Sequence, residues 1–285
     1  MSSFRYERPA TVAEATALLA AAGGRARVLA GGTDLVIALR AGVSPDLVVD
    51  VKRIPELGAI SWTPAGDLVL GACVLVQTVA EDERIRATFP ALAEGAAAIG
   101  SLQIRWRATM AGNLANASPC MDTAPPLLVL GGALLIAGPR GTREAPLADF
   151  FVGVKETALG RDEIVTAVRV PKPVPGLRSA FDKIKRTWGH DLALVNAAAA
   201  YDPGARQVRL AIGSCAVTPV LIPPLADVGP DADANEVGCR MGERALAHIR
   251  PIDDVRASAE YRCDMAVLLC HRIAAQLFGT AGRAS

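Results

Sequence analysis

No two of the chain's six cysteines stand as a C-x-x-C pair, and this removes the usual signature of a zinc or iron–sulfur site. Cys73, Cys120, Cys215, Cys239, Cys263 and Cys270 read instead as free thiols, so no metal is expected in this chain. Charge of one sign is lacking too. Thirty basic residues against 29 acidic ones leave a net charge of +1, with no long run of like charge. A nucleic-acid footprint is therefore not expected. No apolar stretch approaches the length of a bilayer span, and Met1–Glu7 has no apolar core of a leader peptide. A cytoplasmic location is the expectation. Neither G-x-G-x-x-G nor G-x-x-x-x-G-K-[ST] occurs, which disfavours Rossmann and P-loop nucleotide sites.

What is present is a chain of 285 residues, 51% hydrophobic and 21% charged, enough for two ordinary packed domains. Two glycine-rich segments stand out: Ala30-Gly31-Gly32-Thr33-Asp34-Leu35, and Thr109-Met110-Ala111-Gly112-Asn113. Glycine lets a backbone approach a ligand closely, and successive amide N–H groups form a concavity for anions. Two such loops can grip a diphosphate from both sides, which suits a dinucleotide such as FAD. Thr33 offers a hydroxyl to a phosphate oxygen. After the second loop, Asn116-Ala117-Ser118-Pro119 and Asp122 bring amides and a carboxylate suited to phosphate and ribose. The bland alternatives are a plain Gly-Gly turn, and Asn and Asp serving only as helix caps.

Local signals set the order of elements. Thr11 and Glu14 form a capping box before a helix at Ala15–Ala22, which Gly23-Gly24 stops. Strands at Arg27–Ala30 and Leu47–Val51 flank a helical Leu35–Arg40, giving a β-α-β unit with the first glycine loop at its strand-to-helix turn. Hairpins are expected across Pro64–Asp67 and across Gly138–Gly141. Residues 75–100 read as mostly helical, Pro125–Leu130 as a helix and Glu163–Val170 as a strand. The proline-rich Pro171–Gly176 marks a junction. Beyond it, extended segments at Ser179–Lys185, Leu192–Tyr201 and Val208–Gly213 precede helices near Glu236–Ile249 and Val255–Phe278.

Gly31–Asp34, Thr109–Asn113 with Ala117-Ser118-Pro119 and Asp122, Asp162-Glu163-Ile164, and the tail Arg256–Arg262 together resemble the FAD-binding medium subunits of molybdenum hydroxylases, the xanthine dehydrogenase and carbon monoxide dehydrogenase group. The match runs from about Phe4 to Phe278 with the motifs in family order. The resemblance implies an α+β fold: a two-lobed FAD-binding domain of the PCMH/VAO type over 1–172 (lobes of about 1–55 and 56–172), then a smaller α+β domain over 177–285 with a three-stranded sheet and helices. It implies non-covalent FAD held by Val28, Leu29 and Ala30–Leu35 on one side. On the other side it implies Ile104, Ala108, Thr109, Ala111, Gly112, Asn113, Ala115, Asn116 and Asp122. Ile164 and Val165 would pack beside adenine or flavin, Lys185 would approach the isoalloxazine, and Asp191 would lie near its reactive edge. A cation beside that ring is a general way to tune a flavin.

The resemblance further implies a small subunit with [2Fe-2S] clusters and a large molybdopterin subunit, arranged as a dimer of heterotrimers. Electrons would leave through this chain's flavin to NAD+, oxygen or another acceptor, and no residue here need act as a catalytic acid or base. Three features depart from the family pattern. Ala111 stands where a second glycine is usual, Gly189-His190-Asp191 lacks a double arginine, and the four-cysteine insertion of hydroxybenzoyl-CoA-reducing relatives is missing. Two other functions fit the glycine loops. A stand-alone flavin oxidase or reductase is disfavoured by the shortage of His and Tyr near the loops. A non-catalytic nucleotide-binding module would gain no stability from FAD.

Overall fold

Thr11 caps the first helix as its sequence predicts: its side chain accepts from Glu14 N, and Gly23 closes the helix with φ +57°. The computed structural model describes residues 3–187 and 189–279, so the outermost ends of the expected domain spans, 1–2 and 280–285, lie outside the described residues. The chain begins with β1 (Arg5–Glu7), α1 (Val12–Ala22), β2 (Ala26–Leu29), α2 (Leu35–Arg40) and β3 (Leu47–Asp50). These strands form a parallel sheet in the order β1-β3-β2, with Val28 opposite Val49. The first glycine loop sits at the β2-to-α2 turn, on the carboxyl edge where parallel sheets bind ligands.

Next come β4 (Ile60–Trp62), β5 (Leu68–Gly71), α3 (Val76–Glu81), α4 (Glu83–Thr88), α5 (Pro90–Ala97), α6 (Leu102–Arg105), α7 (Met110–Ala115) and α8 (Ala124–Val129). The helical stretch expected over 75–100 is thus three short helices. Asp82 caps α4 by accepting from Ile85 N, and Pro90 starts α5 at a position where its missing N–H costs nothing. Strands β6 (Ala133–Gly138), β7 (Gly141–Pro146), β8 (Phe151–Gly153), β9 (Glu156–Thr157) and β10 (Ile164–Val170) follow. An antiparallel sheet runs β4-β5-β10-β6-β7, and β8 with β9 makes a separate two-stranded hairpin.

After the Pro171–Gly176 junction come β11 (Arg178–Ile184), β12 (Val195–Asp202), β13 (Gln207–Gly213), β14 (Val220–Leu225), α9 (Ala234–His248) and α10 (Ala259–Phe278). The three expected strands are joined by a fourth, so the sheet runs β11-β12-β13-β14. β14 carries Pro223-Pro224, which argues against a strand except at an edge, and an edge is where it lies. Helix α10 starts at Ala259 rather than Val255, because Ser258 supplies the cap, accepting from Tyr261 N.

β12 shows why one sheet can serve two cores. Val195, Ala197, Ala199 and Tyr201 belong to the core under α9 and α10, whereas Ala198 and Ala200 belong to the core shared with α5 and α8. Alternation with period two separates the faces, and alanine lets helices close on both. The even-numbered face carries Asn196, fully buried and directly opposite Lys183 of β11.

The loop before α10 is held by Asp254. Burial opposes ionisation there, but bonds from Arg256 (backbone and side chain), Ala257 N and buried Arg262 hold the carboxyl well below the usual carboxylate range. A depressed pKa stabilises the fold above the unfolded value, about 4, and that contribution fades as pH falls. Asp254→Asn is expected to cost about 2 kcal/mol at pH 7 by leaving the Arg262 charge without its counterion. Thermal melts at pH 7 and pH 3 check this: the gap to wild type should narrow at pH 3, and an unchanged gap would contradict it.

Candidate functional site

A cleft of about 640 Å³ opens where the two glycine segments meet. Its walls come from the β2–α2 loop, the start and end of α7, Ile164 and Val165 of β10, and the loop joining β8 to β9. Gly31 packs so tightly on the second segment that a Cβ would lie 2.1 Å from Arg107 O and 2.9 Å from Ala108 Cα. Asp34 Oδ1 accepts from Asn116 Nδ2 at 2.9 Å, a second tie between the loops.

The two segments are not equivalent donors. Among the described residues no hydrogen bond takes up the backbone N–H of Gly31, Gly32, Thr33 or Asp34, so four successive donors stand free on a segment that lines the cleft. Such a run is an anion cradle. The Thr109–Asn113 segment, expected as a loop, is instead a cap and first helical turn. Thr109 Oγ1 accepts from Gly112 N, Thr109 O from Asn113 N, and Val74 O from Met110 N. It forms a wall of small residues. Ala111, at the position of the family's usual glycine, is buried there without strain, in the first turn of α7.

Of the expected ligand residues, Val28, Ala30–Leu35, Ala108, Thr109, Ala111–Asn113, Ala115, Asn116, Ile164 and Val165 all line the cleft. Five do not. Leu29 lies against Gly32 and Ile104 against Gly100, and neither lines the cleft. Asp122 is buried, with Oδ2 2.7 Å from Lys183 Nζ and Oδ1 2.8 Å from Asn196 Nδ2, so both oxygens are engaged by protein rather than open to a ribose. Burial raises the Asp122 pKa while Lys183 pulls it down. Lys185 donates to Gly189 O within its own exposed loop. Asp191 takes bonds from the Arg186 side chain and backbone and from Leu192 N, which hold its carboxyl below the usual range, the Arg186 side chain most strongly.

Lys183 is a buried cation, held by Asp122 and Ala98 O, whereas Lys185 is exposed. The end of the strand explains the difference: Phe181 and Lys183 share the face toward the first core, and β11 ends at Ile184 before Lys185 can join them. Lys183 and Asn196 were missed as a pair, although a lone asparagine inside Val195-Asn196-Ala197 was a visible signal of a buried polar contact. The structure adds Lys155, Leu159 and Glu163 to the cleft. Hydrogen bonds from Arg143 chiefly hold the Glu163 carboxyl low. Among the described residues no group of His, Cys, Asp and Glu side chains converges as metal ligands.

The comparisons with known proteins bear on the whole chain. Residues 2–173 match the FAD binding domain in molybdopterin dehydrogenase, and residues 179–277 match the CO dehydrogenase flavoprotein C-terminal domain. The chain belongs to the flavoprotein family of the molybdopterin dehydrogenases. It is 32% identical over 277 residues to the carbon monoxide dehydrogenase medium chain of Afipia carboxidovorans, covering 95% of each chain. It is 31% identical over 283 residues to the xanthine dehydrogenase FAD-binding subunit of Escherichia coli, covering 97% of each. A solved carbon monoxide dehydrogenase from Hydrogenophaga pseudoflava matches with a TM-score of 0.89 and 29% identity, over 97% of this chain and 98% of that one. This molybdopterin dehydrogenase flavoprotein is thus an oxidoreductase subunit whose fold and length follow its relatives. Among its described residues no helix is long and apolar enough to cross a membrane.

Proposed function

We propose that the cleft holds FAD with its diphosphate on the free amides of Gly31–Asp34, and that the chain works as the electron-transfer subunit of a heteromeric molybdenum hydroxylase. Four unpaired donors on a cleft-lining loop carry the reading, because backbone N–H groups facing a cavity call for an anion. The donor set fits the cofactor, since Gly31, lacking a Cβ, lets the two segments close on each other while its own amide and the next three stay free on the cleft-lining loop. Thr33 adds a hydroxyl, the small residues of α7 form the opposite wall, and Ile164 and Val165 offer an apolar surface to a ring. FAD bound there supplies the redox centre between a partner's iron–sulfur clusters and a final acceptor such as NAD+ or oxygen. This chain's residues bind and orient; none is placed as an acid or base for the hydroxylated substrate. The partners are a small iron–sulfur subunit and a large molybdopterin subunit, assembled as a dimer of heterotrimers in the cytoplasm.

The test is a visible absorption spectrum of the complex purified through this chain. Flavin bands over iron–sulfur absorbance, with two further polypeptides and twofold stoichiometry by mass, are expected. A colourless chain that gains no thermal stability from added FAD would overturn the assignment, since ligand at a hundred times its Kd stabilises a fold by about 2.7 kcal/mol.

A further inference from the structure

The hairpin of β8 and β9 reaches the cleft through its turn, and the turn residue Lys155 has φ +58°. A β-substituted side chain is strained in that left-handed region, where glycine, asparagine or aspartate is the usual choice. Its backbone N–H donates to Ala117 O at 3.0 Å, and Ala117, just past the end of α7, is itself left-handed at φ +47°. Two strained residues thus clamp the hairpin tip onto the wall of the cleft. The clamp uses only backbone atoms, so glycine would satisfy it better than lysine. What lysine adds is a charged side chain, on a residue that lines the cleft, for which no ion pair or side-chain hydrogen bond is found among the described residues. The other charged groups of that lining are engaged. Arg27 donates to Ala26 O, Asp34 accepts from Asn116, and Glu163 pairs with Arg143. Backbone strain that the fold itself does not need points to function.

We propose that Lys155 is a positioning residue for the dinucleotide, its ammonium group supplying counter-charge to the diphosphate from the side opposite the Gly31–Asp34 amides. This rests on the assignment of the cleft to FAD. The hairpin tip then acts as a charged clasp whose grip is electrostatic and salt-dependent.

The test uses the full chain freed of flavin, titrated with FAD by fluorescence quenching at two ionic strengths, with ADP as a competitor carrying the diphosphate but no flavin. Lys155→Gly should raise the melting temperature of the flavin-free protein by relieving the left-handed strain, yet weaken FAD binding about tenfold. Lys155→Arg should stay within about threefold of wild type. The lysine-to-glycine loss should be as large for ADP as for FAD and should flatten the salt dependence. Equal FAD affinity in wild type and Lys155→Gly would overturn the inference while leaving the cleft assignment intact. A loss seen with FAD but not ADP would equally overturn it, by moving Lys155 to the flavin half. Wild type that binds neither ligand would bring down the cleft assignment itself.

Discussion

Gly31→Ala is expected to abolish flavin retention and to destabilise the fold by more than about 3 kcal/mol, the cost class of a steric conflict that no side-chain rotation relieves. The new methyl would lie 2.1 Å from Arg107 O, so one backbone must move away from the other. Movement of the β2–α2 loop would turn the four free amides away from the cleft. Movement of the second segment would disturb Ala108 O, which accepts from Val76 N and anchors that segment to α3. Gly32→Ala is the informative contrast. Its φ of +79° strains any side chain, but its nearest contact is the Leu29 side chain at 3.1 Å, which can shift. A cost of about 1–2 kcal/mol with partial flavin retention is expected there. Flavin occupancy after purification and thermal melts of both variants check the pair. Wild-type occupancy in Gly31→Ala would remove that loop from the site.

The glycine segments were legible because their chemistry is local: glycine after an apolar strand marks a turn whatever surrounds it. The β-α-β unit, both hairpins and the helix cap at Thr11 follow from neighbours in sequence. The division of labour between the two loops was not legible. Whether an amide is free depends on what lies across from it, and Val74 O, which takes the Met110 amide, is 36 positions away along the chain. β8 and β9 span three and two residues, too short for any periodic signal, so the hairpin that brings Lys155 to the cleft left no mark. β14 hid behind its prolines, which read as turn until an edge position makes them harmless. The different burial of Lys183 and Lys185 was hidden for a related reason. Both share a parity, and only the observed end of β11 separates a buried lysine from an exposed one.

Removing that buried lysine yields the second large effect. Lys183→Met is expected to cost about 3–5 kcal/mol at pH 8, because it strands the Asp122 carboxylate inside the protein. Lys183 Nζ now lies 2.7 Å from Asp122 Oδ2 and also donates to Ala98 O, and its side chain and that of Asp122 are 5% and 6% exposed. Burial already raises the Asp122 pKa, and without Lys183 only the Asn196 hydrogen bond and the weaker pull of the Lys185 charge oppose that rise. A carboxyl whose folded pKa exceeds its unfolded value binds its proton more tightly when folded. The variant therefore loses stability as pH climbs from about 4 through the folded pKa, and its deficit should be smaller at pH 5 than at pH 8. Melts at the two pH values measure this, and a deficit independent of pH would argue that packing, not charge, dominates. The double variant Lys183→Met with Asp122→Leu should recover most of the loss, since two apolar groups leave no unpaired charge. Flavin affinity should fall with the single variant as well. The residue after Asp122, Thr123, donates to Asn113 Oδ1 at 2.6 Å, so loosening the carboxylate loosens the wall that faces the amide cradle.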